Sequence, residues 1–299
     1  MMLRLISLLS ISLIYVNSLD LPIVLPPFGT DQADVKSPDA SWGTCLLYLE
    51  SINVIVYNKK EKTGYVARVD SDEGEQKKKN TYTFDKSYVK CANISQELKD
   101  KKRSENSFTV DVTLGQEVQV KDKDTVQFSL PGPIKLTLQF ATFPTNDWNL
   151  TSIKLEKDLV IKKGAFGEDF TIASGATANP LSVRSMGVGG FNGYNFACSN
   201  TKFAVFTLDK KDYEIGISFG NLQVQNDGYA VSKDGKTPQF THNVNDCIGT
   251  FSAGSWMGIL VTILLGSVLI FGFLMLNSVQ STDRFDDPKQ KQLIINSKD

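Results

Sequence analysis

The chain has 299 residues, 41% of them apolar and 22% charged, and its 32 Lys and Arg against 33 Asp and Glu leave a formal net charge of −1. That balance excludes a strongly basic nucleic-acid binder and an acidic disordered chain, so no nucleic-acid partner is expected. A single histidine, His242, and four cysteines with no Cys-x-x-Cys pair rule out a multi-histidine metal centre, a zinc ribbon and a dithiol redox site.

At the N-terminus, Arg4 precedes an apolar run from Leu5 to Val16 that is too short to span a bilayer, and Val16-Asn17-Ser18 supplies a small residue for cleavage. Residues 1–18 therefore read as a signal peptide, with the mature chain starting near Leu19. Residues 19–41, carrying Pro22, Pro26, Pro27 and Pro38, are expected to form an extended leader.

From residue 42 to 255 the dominant period is two. Leu46–Leu49 through Ile52–Tyr57, Phe108–Leu114 and Ile134–Phe140 read as strands with one buried face, and further strands are expected at Thr125–Leu130, Ser152–Ile161, Phe203–Leu208 and Tyr213–Gln225. Turn chemistry separates them at Lys121-Asp122-Lys123-Asp124, Pro131-Gly132-Pro133 and Asn226-Asp227-Gly228. No helical stripe precedes Trp256, so the expectation is one all-β, antiparallel domain rather than a parallel α/β enzyme fold.

Four cysteines in a secretory-pathway chain can pair in three ways. Cys45 and Cys91 are separated by 46 residues and Cys198 and Cys247 by 49. Far more chain lies between the two pairs, so sequential bridges Cys45 with Cys91 and Cys198 with Cys247 are expected. Asn93-Ile94-Ser95 and Asn149-Leu150-Thr151 are glycan acceptor sequons and are expected on surface loops.

Motifs that could carry chemistry are few and each is incomplete. Asp70-Ser71-Asp72-Glu73-Gly74-Glu75 opens like a calcium loop, but Lys77-Lys78-Lys79 follows instead of a terminal glutamate, which fits a solvated hairpin tip. Gly187, Gly189, Gly190 and Gly193 miss the dinucleotide-binding spacing because Asn192 stands at the third position; they read as a β-connection. His242 has no nucleophile elbow to serve. Lys101-Lys102-Arg103 is a basic run of the kind that processing proteases cut, or simply a solvated loop. No catalytic residue, metal site or cofactor is expected, and the chain reads as a non-enzyme.

Trp256–Leu276 is free of charge and, at 1.5 Å rise per residue, about 31 Å long, the thickness of a bilayer's hydrocarbon core. A signal peptide followed by one spanning helix makes a single-pass type I membrane protein, with residues 277–299 as a cytosolic tail. Gly258, Thr262 and Gly266 repeat at intervals of four, a small-residue stripe on which a partner helix could sit closely. No ionisable residue interrupts the span, so the helix itself carries no proton relay.

Two regions carry a resemblance. Gly43-Thr44-Cys45-Leu46-Leu47, Tyr194-Asn195-Phe196-Ala197-Cys198, Leu222-Gln223-Val224-Gln225 and Asn245-Asp246-Cys247 together resemble the β-prism luminal domain of lysosome-associated membrane glycoproteins. Asp283-Arg284-Phe285-Asp286-Asp287-Pro288-Lys289, just past the helix, is similar to the juxtamembrane segment of S-type accessory subunits of the V-type proton ATPase. Asp283, Asp286 and Asp287 suit an anionic leaflet poorly, which favours a protein contact for Arg284 and Phe285.

The resemblance implies a β-prism-like luminal domain and a non-catalytic role in assembly, trafficking or regulation of the pump's membrane sector, and so in organelle acidification. Its partners would be membrane-sector subunits including the proteolipid ring, together with the lipid bilayer. The implied location is the endomembrane system, from endoplasmic reticulum to vacuole, lysosome or secretory vesicles. The alternative is a lysosomal or cell-surface type I glycoprotein, but the tail lacks the Gly-Tyr-x-x-apolar ending used for lysosomal sorting. Longer members of the family carry a further luminal domain ahead of the prism, whose roles do not transfer to this sequence.

Overall fold

The long strand Tyr213–Gln225 shows how the alternating pattern becomes architecture. Ile215, Ile217 and Phe219 point to one side and are fully buried, while Gly216, Ser218 and Gly220 between them are small. At Asn221, whose φ is +48°, the chain steps over one position, so that Leu222 and Val224 continue the buried face. The partner strands break at the same level. Leu46–Leu49 pairs with Gln223–Gln225 and Ser51–Asn58 with Tyr213–Gly220, and the buried face passes from Leu47 and Leu49 to Ile52, Val54 and Val56 across Glu50. Two strands that change face together keep one continuous apolar surface.

In this computed structural model the residues described are 18–27, 45–71, 79–92, 103–208, 212–228, 230–231, 238–247 and 253–279. The chain divides into one unit through Cys247 and a second from Ile248 onward.

Three sheets enclose the core of the first unit. One holds, in spatial order, Ser18–Asp20, Thr81–Thr83, Ser104–Thr113, Ile134–Thr142, Asp147–Leu155 and Gly189–Phe191, with Val89–Lys90 also on Ser104–Thr113. The second is built on Tyr213–Gln225 and runs from Ile23–Leu25 through Leu46–Leu49 and the long strand to Asn195–Asn200 and Val244–Asp246; Ser51–Asn58, Thr63–Val69 and Ala204–Phe206 extend it. The third orders Phe170–Ile172, Leu159–Lys163, Thr125–Leu130 and Val118–Asp122. A small hairpin, Ala230–Val231 with Pro238–Gln239, stands apart.

Apolar side chains from all three sheets meet in one cluster. Phe108, Phe140 and Trp148 lie at its heart, with successive ring centroids 5.9 Å apart in edge-to-face contact. The opposite face of the same sheet is polar and paired. Thr109 and Thr137 share a hydrogen bond at 2.9 Å, and Asp111 meets Lys135 at 3.0 Å and Lys157 at 3.4 Å. Burial, the largest single influence on the Lys135 ammonium, works against it, but its bonds to Tyr88 and Asp111 outweigh that and hold it above the usual lysine range.

Several sequence expectations change in detail. The described part of the leader is extended and joins the sheets: Ser18–Asp20 pairs with Thr81–Thr83 and Ile23–Leu25 with Leu47–Leu49, so these residues add an edge to each main sheet, while residues 28–41 lie outside the described residues. Leu21, Ile23 and Leu25 are buried, and that apolar spacing is what draws the segment in. The single strand expected at Ser152–Ile161 is two, Asp147–Leu155 and Leu159–Lys163, because the chain bends at Glu156 and Lys157 and passes from the first sheet to the third, with the Glu156 amide reaching the Lys135 carbonyl and Asp158 accepting the Ser174 amide. Among the described residues the antiparallel pattern has one exception, the parallel pair Asn195–Ala197 with Val244–Asp246. A short helix, Pro180–Ser185, opens with Pro180 in its first turn and Asn179 capping the Leu181 amide at 2.9 Å. It is too short to show a stripe in the sequence.

Disulfides connect Cys45 with Cys91 and Cys198 with Cys247. The first ties the start of Leu46–Leu49 to the end of Val89–Lys90, joining the two main sheets. Neutral amides finish that seam. Asn106 donates to the Asn226 carbonyl at 2.7 Å and accepts from the Ala92 amide at 2.6 Å, while Asn226 donates to Thr142 Oγ1 at 2.6 Å.

Candidate functional site

The second unit supplies the feature that marks the chain's working environment. Ala253–Ser278 is one continuous helix, longer at both ends than the apolar core Trp256–Leu276. At 1.5 Å per residue its length of about 39 Å exceeds a hydrocarbon core of roughly 30 Å. Large apolar side chains from Trp256 to Leu276 are exposed all round, which only a lipid or protein surround can cover.

Its few polar side chains are satisfied within the helix. Thr262 Oγ1 donates to the Gly258 carbonyl at 2.8 Å, Ser267 Oγ to Leu264 at 2.7 Å, Asn277 Nδ2 to Phe273 at 3.0 Å and Ser278 Oγ to Met275 at 2.7 Å. Each of these four donors is thereby paired with a carbonyl of the helix itself. Gly258, Thr262 and Gly266 fall along the expected stripe, and a methyl added at Gly258 or Gly266 would meet nothing within 4 Å. Along that edge only the Thr262 side chain, turned back onto the Gly258 carbonyl, stands between the two glycines.

The other bridge closes the end of the β domain. Cys247 follows the edge strand Val244–Asp246, and its bond to Cys198 fastens that strand onto Asn195–Asn200 at the point where the domain's chain ends. Buried Asn195 reinforces the junction, donating to Thr241 O at 2.5 Å and to Asn243 O at 3.1 Å.

Other expected site residues are placed as follows. Asn149 is exposed, but on the strand Asp147–Leu155 rather than on a loop, because Ala141 and Gly189 pair with it on either side. Asn93 and the tail residues Asp283, Arg284, Phe285, Asp286 and Asp287 lie outside the described residues, as do Lys101 and Lys102. Arg103 is held by Glu105 at 3.1 Å and stacks over Phe143. Asp70 is engaged by Arg68 at 2.9 Å, and most of the acidic stretch after it is outside the described residues. His242 is exposed. Among the described residues no group of His, Cys, Asp or Glu is arranged to hold a metal ion.

What the sequence reading passed over is a groove beside Asn149, lined by the glycine-bearing strand Gly189–Phe191 and by Arg184. The glycines there serve close approach: a Cβ on Gly189 would stand 2.5 Å from the Trp148 carbonyl. Their clustering with Phe191 was the available signal.

Comparison with known proteins agrees with the membrane segment. Residues 249–287 match the family model described as the V0 complex accessory subunit Ac45/VOA1 transmembrane domain, a match that runs on through Asp283–Asp287. The V-type proton ATPase subunit S1 of Caenorhabditis elegans is 30% identical over 284 residues, covering 92% of this chain and 59% of that protein. Subunit S1 of Rattus norvegicus is 43% identical over 51 residues, 17% of this chain and 11% of its own length, and that of Drosophila melanogaster 30% over 117 residues, 39% and 29% respectively. This chain thus spans about three fifths of the nematode relative and much less of the others. Among solved structures, the membrane-proximal domain of mouse lysosome-associated membrane protein 1 aligns with 69% of this chain and 89% of its own, at 14% identity and a TM-score of 0.31. The chain is thus homologous to V-type proton ATPase subunit S1 over most of its own length, and its residues 249–287 match the transmembrane domain of the V0 complex accessory subunit Ac45/VOA1.

Proposed function

We propose that this protein is a non-catalytic accessory subunit of the V-type proton ATPase that joins the pump's membrane sector through its single helix and supports assembly, trafficking or regulation of that sector. The observation that carries the reading is the segment 249–287, in which a spanning helix without any ionisable residue runs into an acidic tail and matches a V0 accessory domain throughout. A helix of this composition moves no protons, since a relay needs a titratable group at membrane depth. Its contribution is therefore through contact: the stripe Gly258, Thr262, Gly266 against a neighbouring helix of the sector, and Asp283–Asp287 with Arg284 and Phe285 against its cytosolic face.

In this reading the β domain lies on the luminal side. Two disulfides and the hydrophobic segment Leu5–Val16 support that orientation, because such bridges persist in oxidising compartments. Asn93 and Asn149 are then glycan sites, and the organelle is one the pump acidifies.

The test is purification of the tagged full chain in mild detergent, with mass spectrometry of what accompanies it. Stoichiometric recovery of V-ATPase membrane-sector subunits is expected, together with loss of that recovery when residues 283–299 are deleted. Recovery of the chain alone would overturn the proposal in favour of an independent membrane glycoprotein.

A further inference from the structure

Asn149 lines an open groove of about 500 Å³, a size within the range of roughly 300–1,000 Å³ typical of ligand clefts. The register explains why its side chain faces that space. On the strand Asp147–Leu155, Trp148 and Leu150 are buried, so Asp147 and Asn149 share the outer face. Asp147 stands opposite Phe191 and Asn149 opposite Gly189. Phe191 therefore lies on the same outer face, diagonal to Asn149 at a spacing of roughly 7 Å, within reach of the first ring of anything attached to the asparagine.

The surroundings are those of a saccharide site rather than of a bare strand edge. The Phe191 ring is 61% exposed, an unusual position for a large apolar side chain on a three-residue edge strand, and Tyr194 steadies it at 6.2 Å in edge-to-face contact. Gly189 leaves the place opposite Asn149 empty of side chain. Asp147, which accepts a hydrogen bond from Thr145, and Arg184 rim the same space with groups suited to hydroxyls. An aromatic face with a carboxylate and a guanidinium beside it offers a sugar both an apolar platform and polar partners.

We infer that the groove is occupied by the chain's own N-linked glycan, attached at Asn149, whose inner sugars pack across Phe191 and Arg184. Attachment is what makes weak sugar contacts sufficient. A tethered ligand meets its site at an effective concentration of order millimolar, so the groove need have no affinity for a free saccharide. The glycan then covers an apolar patch that would otherwise favour association between chains. This inference rests on the luminal placement proposed above.

The experiment uses the full chain from eukaryotic cells, purified in mild detergent, and follows site by site the rate at which a core-cleaving endoglycosidase removes the glycan from the native protein. Phe191→Ala and, independently, Arg184→Ala are expected to speed release at Asn149 about tenfold, the factor that corresponds to ~1.4 kcal/mol of lost contact. Leu181→Ala, an exposed residue outside the groove, is expected to leave the rate unchanged. Equal release from wild type and both groove variants overturns the inference. An unmodified Asn149 beside a modified Asn93 overturns it too while leaving the luminal placement intact, and absence of glycan at both sites overturns that placement as well.

Discussion

The Tyr82 hydroxyl donates a hydrogen bond to the Val24 carbonyl at 3.3 Å and accepts one from the Val24 amide, so one side chain of the first sheet closes the edge strand of the second. Tyr82 is buried, and its ring lies in the common core. Removing the hydroxyl leaves both Val24 backbone groups without this partner, and Tyr82→Phe is expected to cost about 1 kcal/mol. For a domain of this size that lowers Tm by about 2–4 °C, measurable by thermal unfolding of the full chain in detergent. An unchanged Tm would show that the leader strand is held by its ladder alone.

The same residue sets an alkaline limit. Burial pushes the Tyr82 phenol up to about 12, the bond from Val24 pulling slightly the other way. The folded state therefore keeps the proton that the unfolded chain loses near the ordinary tyrosine value of 10.0. The resulting stability is complete below 10 and is lost as pH rises from there through 12, amounting to at most about 3 kcal/mol. In denaturant titrations Tyr82→Phe should flatten that alkaline fall relative to wild type. An identical fall in both proteins would assign it to other groups.

Acid should do far less. Of the buried polar and charged residues described, Asp111 alone bears a carboxylate; Asn106 and Asn226 close the seam between the two main sheets and Asn195 and Gln225 the end of the second, and none of these amides titrates. Asp85 is held below the ordinary aspartate value of 3.8 by hydrogen bonds from the Ser87 hydroxyl and amide. Its contribution is present above that value and disappears only as pH falls beneath it. Denaturant midpoints at pH 7 and pH 5 are thus expected to agree within about 1 kcal/mol of unfolding free energy. A larger drop by pH 5 would mean that an ionisable group in the undescribed segments matters to the fold. Such tolerance would suit the luminal placement proposed above.

Much of this architecture is visible in the sequence where a strand is long and one-sided. Thr125–Leu130 and Tyr213–Gln225 have the bounds that alternation predicts, and the charge-free run Trp256–Leu276 announces its helix. The edge strands are another matter. Ser18–Asp20, Ile23–Leu25 and Gly189–Phe191 have three residues each, too few to express a period, and their pairing is decided by partners far away in the chain. Thr63–Val69 hides for a different reason: Val66 is exposed while Ala67 is buried, which blurs the hydropathy pattern. The glycines next to Asn149 read in the sequence only as a connection; it is the register that puts Phe191 on one face with the sequon.

The step in the long strand offers a separate test. Asn221 sits at φ +48° and donates its side-chain amide to the Glu50 carboxylate across the break in the partner strands. Asparagine and glycine tolerate this left-handed conformation, whereas a β-branched residue does not. Asn221→Gly is expected to cost a few tenths of a kcal/mol and Asn221→Val about 1–3 kcal/mol, read from urea unfolding. Comparable losses for the two would mean that the Glu50 contact, not the backbone, holds the step.

The membrane helix carries the prediction closest to function. The Cβ of a leucine at Gly258 or Gly266 would have open space around it, and leucine raises helix propensity over glycine, so neither substitution is expected to harm the helix itself. What it removes is the close approach of another helix, worth about 1–2 kcal/mol in a small-residue interface. Each variant should therefore reduce recovery of V-ATPase membrane-sector subunits with the tagged chain by about tenfold. Leu264→Ala, which alters a side chain off the stripe, should leave recovery unchanged while the amount of chain in the membrane stays constant in all three. If Gly258→Leu and Gly266→Leu copurify with the sector as well as wild type, the stripe faces lipid, and the tail from Asp283 to Asp287 becomes the contact to dissect.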